Sequence, residues 1–564
     1  MKIIFSVGLF AFCTSLHAQN ALFIPDTLTG PNYNLTMHRD SVPFFPGNLT
    51  QTYAFNANHY LGPTLILNKG ASISITVNNQ IGDTTTVHWH GLHIAAVNDG
   101  GPHTPVMPNA SWNPQFTVMD NAATYWYHPH TDMKTAAQAI KGAAGMIIVR
   151  DNVEAALNLP RTYGVDDFPI VAQCQQFDSL NQQMPRGMQD STLLVNGTMN
   201  PYLDAPAQVI RLRLLNASGE RVFNFGFTNN MSFYMIASDD GLLSAPHQTT
   251  RIRLAPGERA EVLLNLTGMN GQSFSLMSYA SQLPMGVQGG PTMPMPPWSP
   301  PMNSPLNGID FNIMQINVTP ATANAITTIP SVLTTITPYQ ETQANATRTI
   351  RFTADSSMVM DGPFYFNDST FDMMRIDYVI PLNSIEVWKL VNETMVAHPF
   401  HLHGMPFYIL DRNGNTPGPE EAGWKDVVLV PPGDSLRFIT KFTDFPDTTI
   451  PYMFHCHILM HEDDGMMGQY VISPNAVGIS ENATAPENLL LYPNPATEEL
   501  MLNFNGIAQP RVITIYNNLG QVVDSFSSSE AMLKFNTQNL RSGIYLASIT
   551  EGEKVLSQRF VVNH

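Results

Sequence analysis

Apolar and polar side chains alternate along most of the chain in short runs that end at Gly, Pro, Asn or Asp. ASISITVNN (71 to 79), GMIIVR (145 to 150), QVIRLRLLN (208 to 216) and SIEVWKLVN (384 to 392) are the clearest cases. A period of two puts one face of a strand in the core and the other toward water, so these runs predict half-buried strands. Strands closed by frequent turns, without long helical segments between them, predict β-sandwiches rather than βαβ units. The arrangement recurs. SISITVNN stands before a histidine motif near the front, RLRLLNASG in the middle and EVWKLVNET before another histidine motif near residue 398. Three related sandwiches follow from this, at 19–155, 156–330 and 331–476. The middle copy has no histidine cluster and reads as structural.

Breaks in the pattern mark the remaining segments. Residues Leu283 to Leu306 are rich in proline and methionine and predict an exposed loop or cover, because proline removes ladder donors. Residues 319 to 347, rich in Thr, Ala and Pro, read as the connector into the third sandwich. After Ser473 the composition changes, and PENLLLYPNPATEELML, ITIYNNLGQVV and SGIYLASI predict a separate small β-sandwich over 485–564. A length of 564 residues suits this count of domains.

The first 18 residues read as a secretory signal. Lys2 is followed by an apolar stretch from Ile3 to Leu16 that is too short to span a membrane, and Ala18 supplies the small cleavage residue. Phe12 before Cys13 does not suit lipid attachment, and no transmembrane segment is predicted. The mature chain then keeps only Cys174 and Cys456, too few for a disulfide framework. Cys174 fits a buried small apolar position. Cys456, an unpaired thiol outside the cytoplasm, needs a chemical reason to be there. A formal charge of -18 excludes nucleic acid and anionic membrane surfaces as partners and is compatible with cationic substrates, metal ions included.

That chemical reason lies in four copies of His-x-His: His88-Trp89-His90, His128-Pro129-His130, His401-Leu402-His403 and His455-Cys456-His457. In a strand, residues i and i+2 share a face, so each copy offers two imidazoles in one direction. Imidazole favours copper, and eight convergent rings suit a cluster of several ions, whereas structural zinc needs four ligands. The same rule sends Cys456 to the opposite face from His455 and His457. With His461 and Met466 close behind and His398 in AHPFHLH, it makes a His₂Cys set with a weak thioether, the ligand set of a blue-copper centre. One strand would thus touch two metal sites, a few bonds apart. A copper nitrite reductase would not need eight paired histidines. A copper store using the same histidines and methionines is the non-enzymatic alternative.

HWHGLH, WYHPH, HPFHLHG and HCHILMHEDDGMM resemble, in order and spacing, the four copper motifs of three-domain multicopper oxidases: laccases, bilirubin oxidases and bacterial copper-efflux oxidases. The resemblance covers residues 50 to 475 and implies an all-β chain of three cupredoxin-like Greek-key β-sandwiches. It implies about four copper ions, in keeping with the ligand count. His398, Cys456, His461 and axial Met466 would hold the type 1 copper and His88 and His401 the type 2. His90, His128, His130, His403, His455 and His457 would hold the type 3 pair. By the same resemblance a reducing substrate gives up single electrons at the type 1 site and dioxygen is reduced to water at the three-copper cluster. Asp99 and Glu462 occupy positions similar to the proton-supplying carboxylates of bacterial members.

The electron donor is less constrained. Laccase-like oxidation of phenols or aromatic amines asks only that an edge of the type 1 site, His461 by resemblance, lie near solvent. Met285, Met293, Met295, Met302, Met358, Met360, Met373 and Met374 are soft ligands suited to Cu(I), which keeps cuprous oxidation as the alternative. The long Met- and His-rich insertion of copper-efflux oxidases is missing, however, and Glu393 and Met395 do not match the offsets of their substrate-copper ligands. His93 and His103 correspond to no family ligand and read as local hydrogen-bonding residues. Through YPNP, N-x-L-G-Q and G-I-Y-L the tail resembles the C-terminal sorting domain of the type IX secretion system. That resemblance implies export through the periplasm and a secreted or cell-surface protein.

Overall fold

The three recurring strands of the sequence occupy the same place in three sheets. Ser72–Gln80 pairs in parallel with Asn32–Val42 and antiparallel with Gln115–Thr117. Val209–Asn216 pairs in parallel with Asp167–Gln175 and antiparallel with Arg259–Asn265. Ile385–Asn392 repeats this with Ala346–Ala354 and Ser435–Lys441. A parallel neighbour earlier in the chain and an antiparallel one later is Greek-key connectivity, and it recurs because each copy has the same order of apolar runs and turns. The computed structural model describes residues 19–57, 59–187, 189–292, 304–356, 361–474, 489–504, 508–517, 521–551 and 554–563. The predicted leader and Met293, Met295, Met302, Met358 and Met360 lie outside these.

Each sandwich closes over its own apolar cluster: Leu35, Ile75 and Val77 in the first, Leu212, Phe223 and Val262 in the middle, Trp388, Phe400 and Phe438 in the third. A fully buried side chain of this kind contributes roughly 1.5–3 kcal/mol. In the first sandwich the sheet facing Ser72–Gln80 ends on His88–His90, paired with Ala123–His128 so that His88 lies opposite His128. The third repeats the pairing, with His398–Leu402 against Asp447–Cys456 and His401 opposite His455, but Val427–Val430 lies beyond it at the sheet edge. The two histidine-bearing strand pairs are therefore built alike.

The chain divides into one compact unit up to Gly478 and a second from Ile479. The second unit is a small sandwich of a three-stranded and a four-stranded sheet around Leu500, Leu502, Ile513, Ile549 and Phe560.

The proline- and methionine-rich segment is not wholly an exposed loop. Leu283 and Val287 are buried against Val222, Ala397 and Leu429. Gly286 accepts a hydrogen bond from the Ala397 N–H at 2.8 Å, beside His398. The apolar residues between the prolines drive this burial, so the first part of the segment is a packed cover.

Candidate metal centre

The four His-x-His copies converge, although only His88-Trp89-His90 lies wholly within a strand. His128 and Cys456 are the last residues of their strands, and His401-Leu402-His403 runs off the end of another. The imidazoles therefore gather at strand ends, where the backbone turns and several elements can reach one point. All eight rings are buried.

They fall into three groups. His130, His403 and His455 direct Nε2 atoms at one another, with His130 to His455 at 3.1 Å and His403 to His455 at 3.2 Å. His90 Nδ1 stands 3.3 Å from Nε2 of both His128 and His457. Nε2 of His88 and of His401 face each other at 3.5 Å. Most of the remaining nitrogens meet protein oxygens, while His457 Nδ1 has no hydrogen-bond partner among the described residues. His88 Nδ1–H donates to the Asp99 carbonyl (2.9 Å), His403 Nδ1–H to Asp99 Oδ2 (2.8 Å) and His128 Nδ1–H to the Pro129 carbonyl (2.8 Å). Glu462 lies between the Nδ1 atoms of His130 and His455, at 3.3 and 3.2 Å.

Buried imidazole lone pairs facing one another at such distances have no hydrogen-bond logic among themselves, because two neutral acceptors cannot satisfy each other. A soft to borderline cation on nitrogen donors satisfies all of them at once. Burial, and then the neighbouring imidazoles, hold His128, His130, His401, His403 and His457 well below the ordinary histidine range, which keeps them in the neutral form a metal requires.

On the other face of His455-Cys456-His457 a fourth group forms. Cys456 Sγ stands 3.5 Å from His398 Nδ1 and 3.6 Å from His461 Nδ1. Thr394 Oγ1 meets His398 Nε2 at 2.8 Å and so leaves Nδ1 directed at the sulfur. Met466 is fully buried, and its carbonyl accepts the Cys456 N–H at 3.0 Å. Burial raises the Cys456 thiol well above its ordinary value, so only a cation would make it a thiolate here. Cys174, the other described cysteine, is a buried free thiol remote from these groups in sequence.

His461 is less open than expected, only 5% exposed. Phe364 packs on it at 4.5 Å and on His398 at 4.7 Å. Arg186 adds a clasp, donating to Asp361 (3.1 Å) and to Asp464 (2.6 Å) and, after burial, contributing to the depression of His461 to about 3. Glu393 instead pairs with Arg351, at 2.8 and 2.7 Å. His93 bonds the Gly404 carbonyl and Asp444, and His103 bonds Gln469.

Sequence reading missed three residues that touch the site. Asp426 contacts His90 and His401, Arg259 grips Asp426, and a Cβ on Gly257 would lie 2.8 Å from the His457 ring. None of the three belongs to a histidine motif, and Arg259 and Gly257 come from the middle sandwich, so only folding brings them near.

Comparison with known proteins places these features. Three family models described as multicopper oxidase match residues 39–154, 168–291 and 335–476, and one described as secretion system C-terminal sorting domain matches 490–563. The chain is 34% identical over 452 residues to a multicopper oxidase of Staphylococcus haemolyticus, covering 78% of this chain and 88% of that one. It is 31% identical over 433 residues to the cell division protein FtsP of Xenorhabdus nematophila, covering 76% and 86%. Among solved structures, a laccase from Pediococcus acidilactici is 32% identical, with a TM-score of 0.70 over 81% of this chain and 94% of that one.

Proposed function

Because the chain belongs to the multicopper oxidase family, we propose that it is an active member that takes single electrons from a small reducing substrate and delivers four of them, with four protons, to dioxygen to give water. The substrate class is laccase-like, phenols and aromatic amines. His398, Cys456, His461 and Met466 would hold the type 1 copper, His88 and His401 the type 2, and His130, His403 and His455 with His90, His128 and His457 the type 3 pair. Bound copper supplies the reversible one-electron change and the sites at which dioxygen is reduced.

The observation that carries the reading is the tripeptide His455-Cys456-His457. Its sulfur lies with His398 and His461 while its two imidazoles join two different groups of the cluster. The backbone of one residue thus links electron entry to the oxygen site. Asp99 and Glu462, both buried, would hold and hand on protons: Asp99 Oδ2 bonds His403, its Oδ1 has no hydrogen-bond partner among the described residues, and Glu462 sits beside His130 and His455. Relatives named for cell division match most of this chain in sequence, and the complete set of ten histidines, Cys456 and Met466 is what favours an oxidase here. The C-terminal unit would route the protein through type IX secretion to the outside. No helix of the described residues is long and apolar enough to cross a membrane.

The test is oxygen uptake by the copper-reconstituted full chain with a phenol, with bilirubin and with Cu(I), alongside copper content. The expected result is about four coppers per chain, a blue colour, and turnover with the phenol. A blue protein that consumes no oxygen with any donor would overturn the oxidase reading in favour of copper storage.

A further inference from the structure

The register of the two histidine-bearing sheets makes the first and third sandwiches approximate copies around the cluster. His88 corresponds to His401, His90 to His403, His128 to His455 and His130 to His457. Two stacked ring pairs cross between the copies. His88 lies on His403 at 3.9 Å and 17°, and His90 on His401 at 3.8 Å and 7°. One aspartate grips each pair in the same manner. The Asp99 carbonyl accepts from His88 Nδ1–H and its carboxylate from His403 Nδ1–H. The Asp426 carbonyl accepts from His401 Nδ1–H (2.8 Å) and its Oδ1 from His90 Nε2–H (3.1 Å).

The likeness breaks at two points. His90 alone of the eight rings turns Nδ1 rather than Nε2 toward its group. Asp426 alone of the two aspartates is held by a cation: Arg259 Nη1 and Nη2 reach its two oxygens at 2.6 Å each, while Arg259 Nε is spent on the Thr124 carbonyl. A paired fork of this kind fixes a carboxylate in plane and direction. The fit is close. A Cβ on Gly91, which has φ +89°, would lie 2.4 Å from Asp426 Oδ2 and 2.7 Å from Arg259 Nη2, which explains the glycine in HWHG.

We propose that Asp426, locked by Arg259 of the middle sandwich, is a positioning residue that dictates which nitrogen His90 offers to the metal and fixes His401 beside it. A carboxylate facing Nε2 requires a proton there and leaves the Nδ1 lone pair free for a ligand role. Asp99 has no comparable lock and keeps an uncommitted oxygen, so the two aspartates divide the work: Asp426 sets geometry and Asp99 stays available to protons. The middle sandwich, bare of ligands, acts on the cluster through Arg259. This inference rests on the reading of the histidine groups as copper ligands.

The test compares the full-length chain with Asp426→Asn after copper reconstitution, titrating with a chelator while following the blue absorption and the EPR of the remaining copper. The asparagine NH₂ must face either His90 or Arg259, both donors, so one contact is lost. Copper at the histidine cluster should leave roughly 10–100-fold more readily, with an altered cluster EPR signal and an unchanged blue band. Arg259→Lys keeps the charge but not the fork and should shift the same readouts less far. It also serves if Asp426→Asn does not fold, which unfolding of the metal-free proteins will reveal. If Asp426→Asn, or in its place Arg259→Lys, matches wild type in chelator curve and EPR, the positioning role is overturned while the copper reading stands. If wild type itself retains no copper at the histidines, the copper reading falls and takes this one with it.

Discussion

Removal of the metal should make the oxidase unit acid-labile, and the size of the effect can be worked from the histidines. His90, His128, His130, His398, His401, His403 and His457 are held well below the ordinary histidine value by burial, most of them also by neighbouring imidazoles, and His461 is lowered to about 3. Without metal these eight rings stay neutral in the folded chain but take protons in the unfolded one below about pH 6.5. The unfolded state then binds more protons, so stability falls as pH falls. His461 alone, between about 6.5 unfolded and about 3 folded, would cost about 5 kcal/mol across that window. Carboxyls work the other way: burial, and then nearby carboxylates, push Asp463 and Glu220 up to about 7 and Asp240 well above its ordinary range, and burial also raises Asp120, Asp132, Asp166, Glu258 and Asp426. They keep protons that the unfolded chain releases. Against the three carboxyls raised furthest, eight histidines leave at most about five protons, a slope of at most about 7 kcal/mol per pH unit below pH 6, and the other raised carboxyls lessen it toward lower pH. At that limiting slope a stability of about 5–15 kcal/mol would be exhausted over about one to two units, and over more at a shallower one. All six tryptophans precede residue 478, so their fluorescence reports the oxidase unit and not the tail. Denaturant titrations of metal-free and copper-loaded protein from pH 7 to 4.5 measure the slope. A metal-free protein whose unfolding free energy stays level from pH 6.5 to 5 would refute the reasoning.

Other outcomes follow from single contacts. Cys456→Ser should abolish the blue colour and leave copper at the histidine cluster, and an intense thiolate-to-copper absorption surviving in the mutant would sink the type 1 assignment. Glu462→Gln, next to His130 and His455, should slow oxygen reduction by about 10²–10⁴-fold and move the pH profile of kcat, while blue absorption is kept. A pH profile identical to wild type would remove Glu462 from proton supply. Arg186→Ala opens the clasp over His461, so kcat/KM for bulky phenols should rise several-fold with a stability change of about 1 kcal/mol or less; unchanged kcat/KM across phenols of increasing size would show that the clasp does not gate the edge. Deleting residues 293 to 303, rather than the packed residues before them, should lower oxidation of Cu(I) more than of phenols if that segment recruits copper, and equal effects would make it a passive cover.

Alternating strands, the threefold recurrence and the four histidine copies were legible in the sequence because each is a pattern among residues near one another in the chain, although only His88-Trp89-His90 lies wholly within a strand. The opposition of Cys456 to His455 and His457 was legible for the same reason. What could not be read were contacts between residues far apart in the chain. Asp426 sits 336 residues from His90, and Arg259 another 167 from Asp426, so no local pattern marks either. Burial of His461 was missed because Phe364 and Arg186 reach it from other strands and loops. Asp99 was legible only through its family position; a turn in Asn-Asp-Gly-Gly looks ordinary until His88 and His403 are seen to share it.

The two matching halves of the cluster also differ in what one of them lacks. Where the third sandwich has Cys456 between its histidines, the first has Pro129, and the counterparts of His398 and His461, three residues before His401 and four after His457, are Thr85 and Lys134. The first half thus matches the third in its paired histidines and has no counterpart of the Cys456, His398 and His461 group. On the proposed reading the third sandwich would be the single inlet for electrons, and the outer surface of the first would be free of any constraint set by a donor.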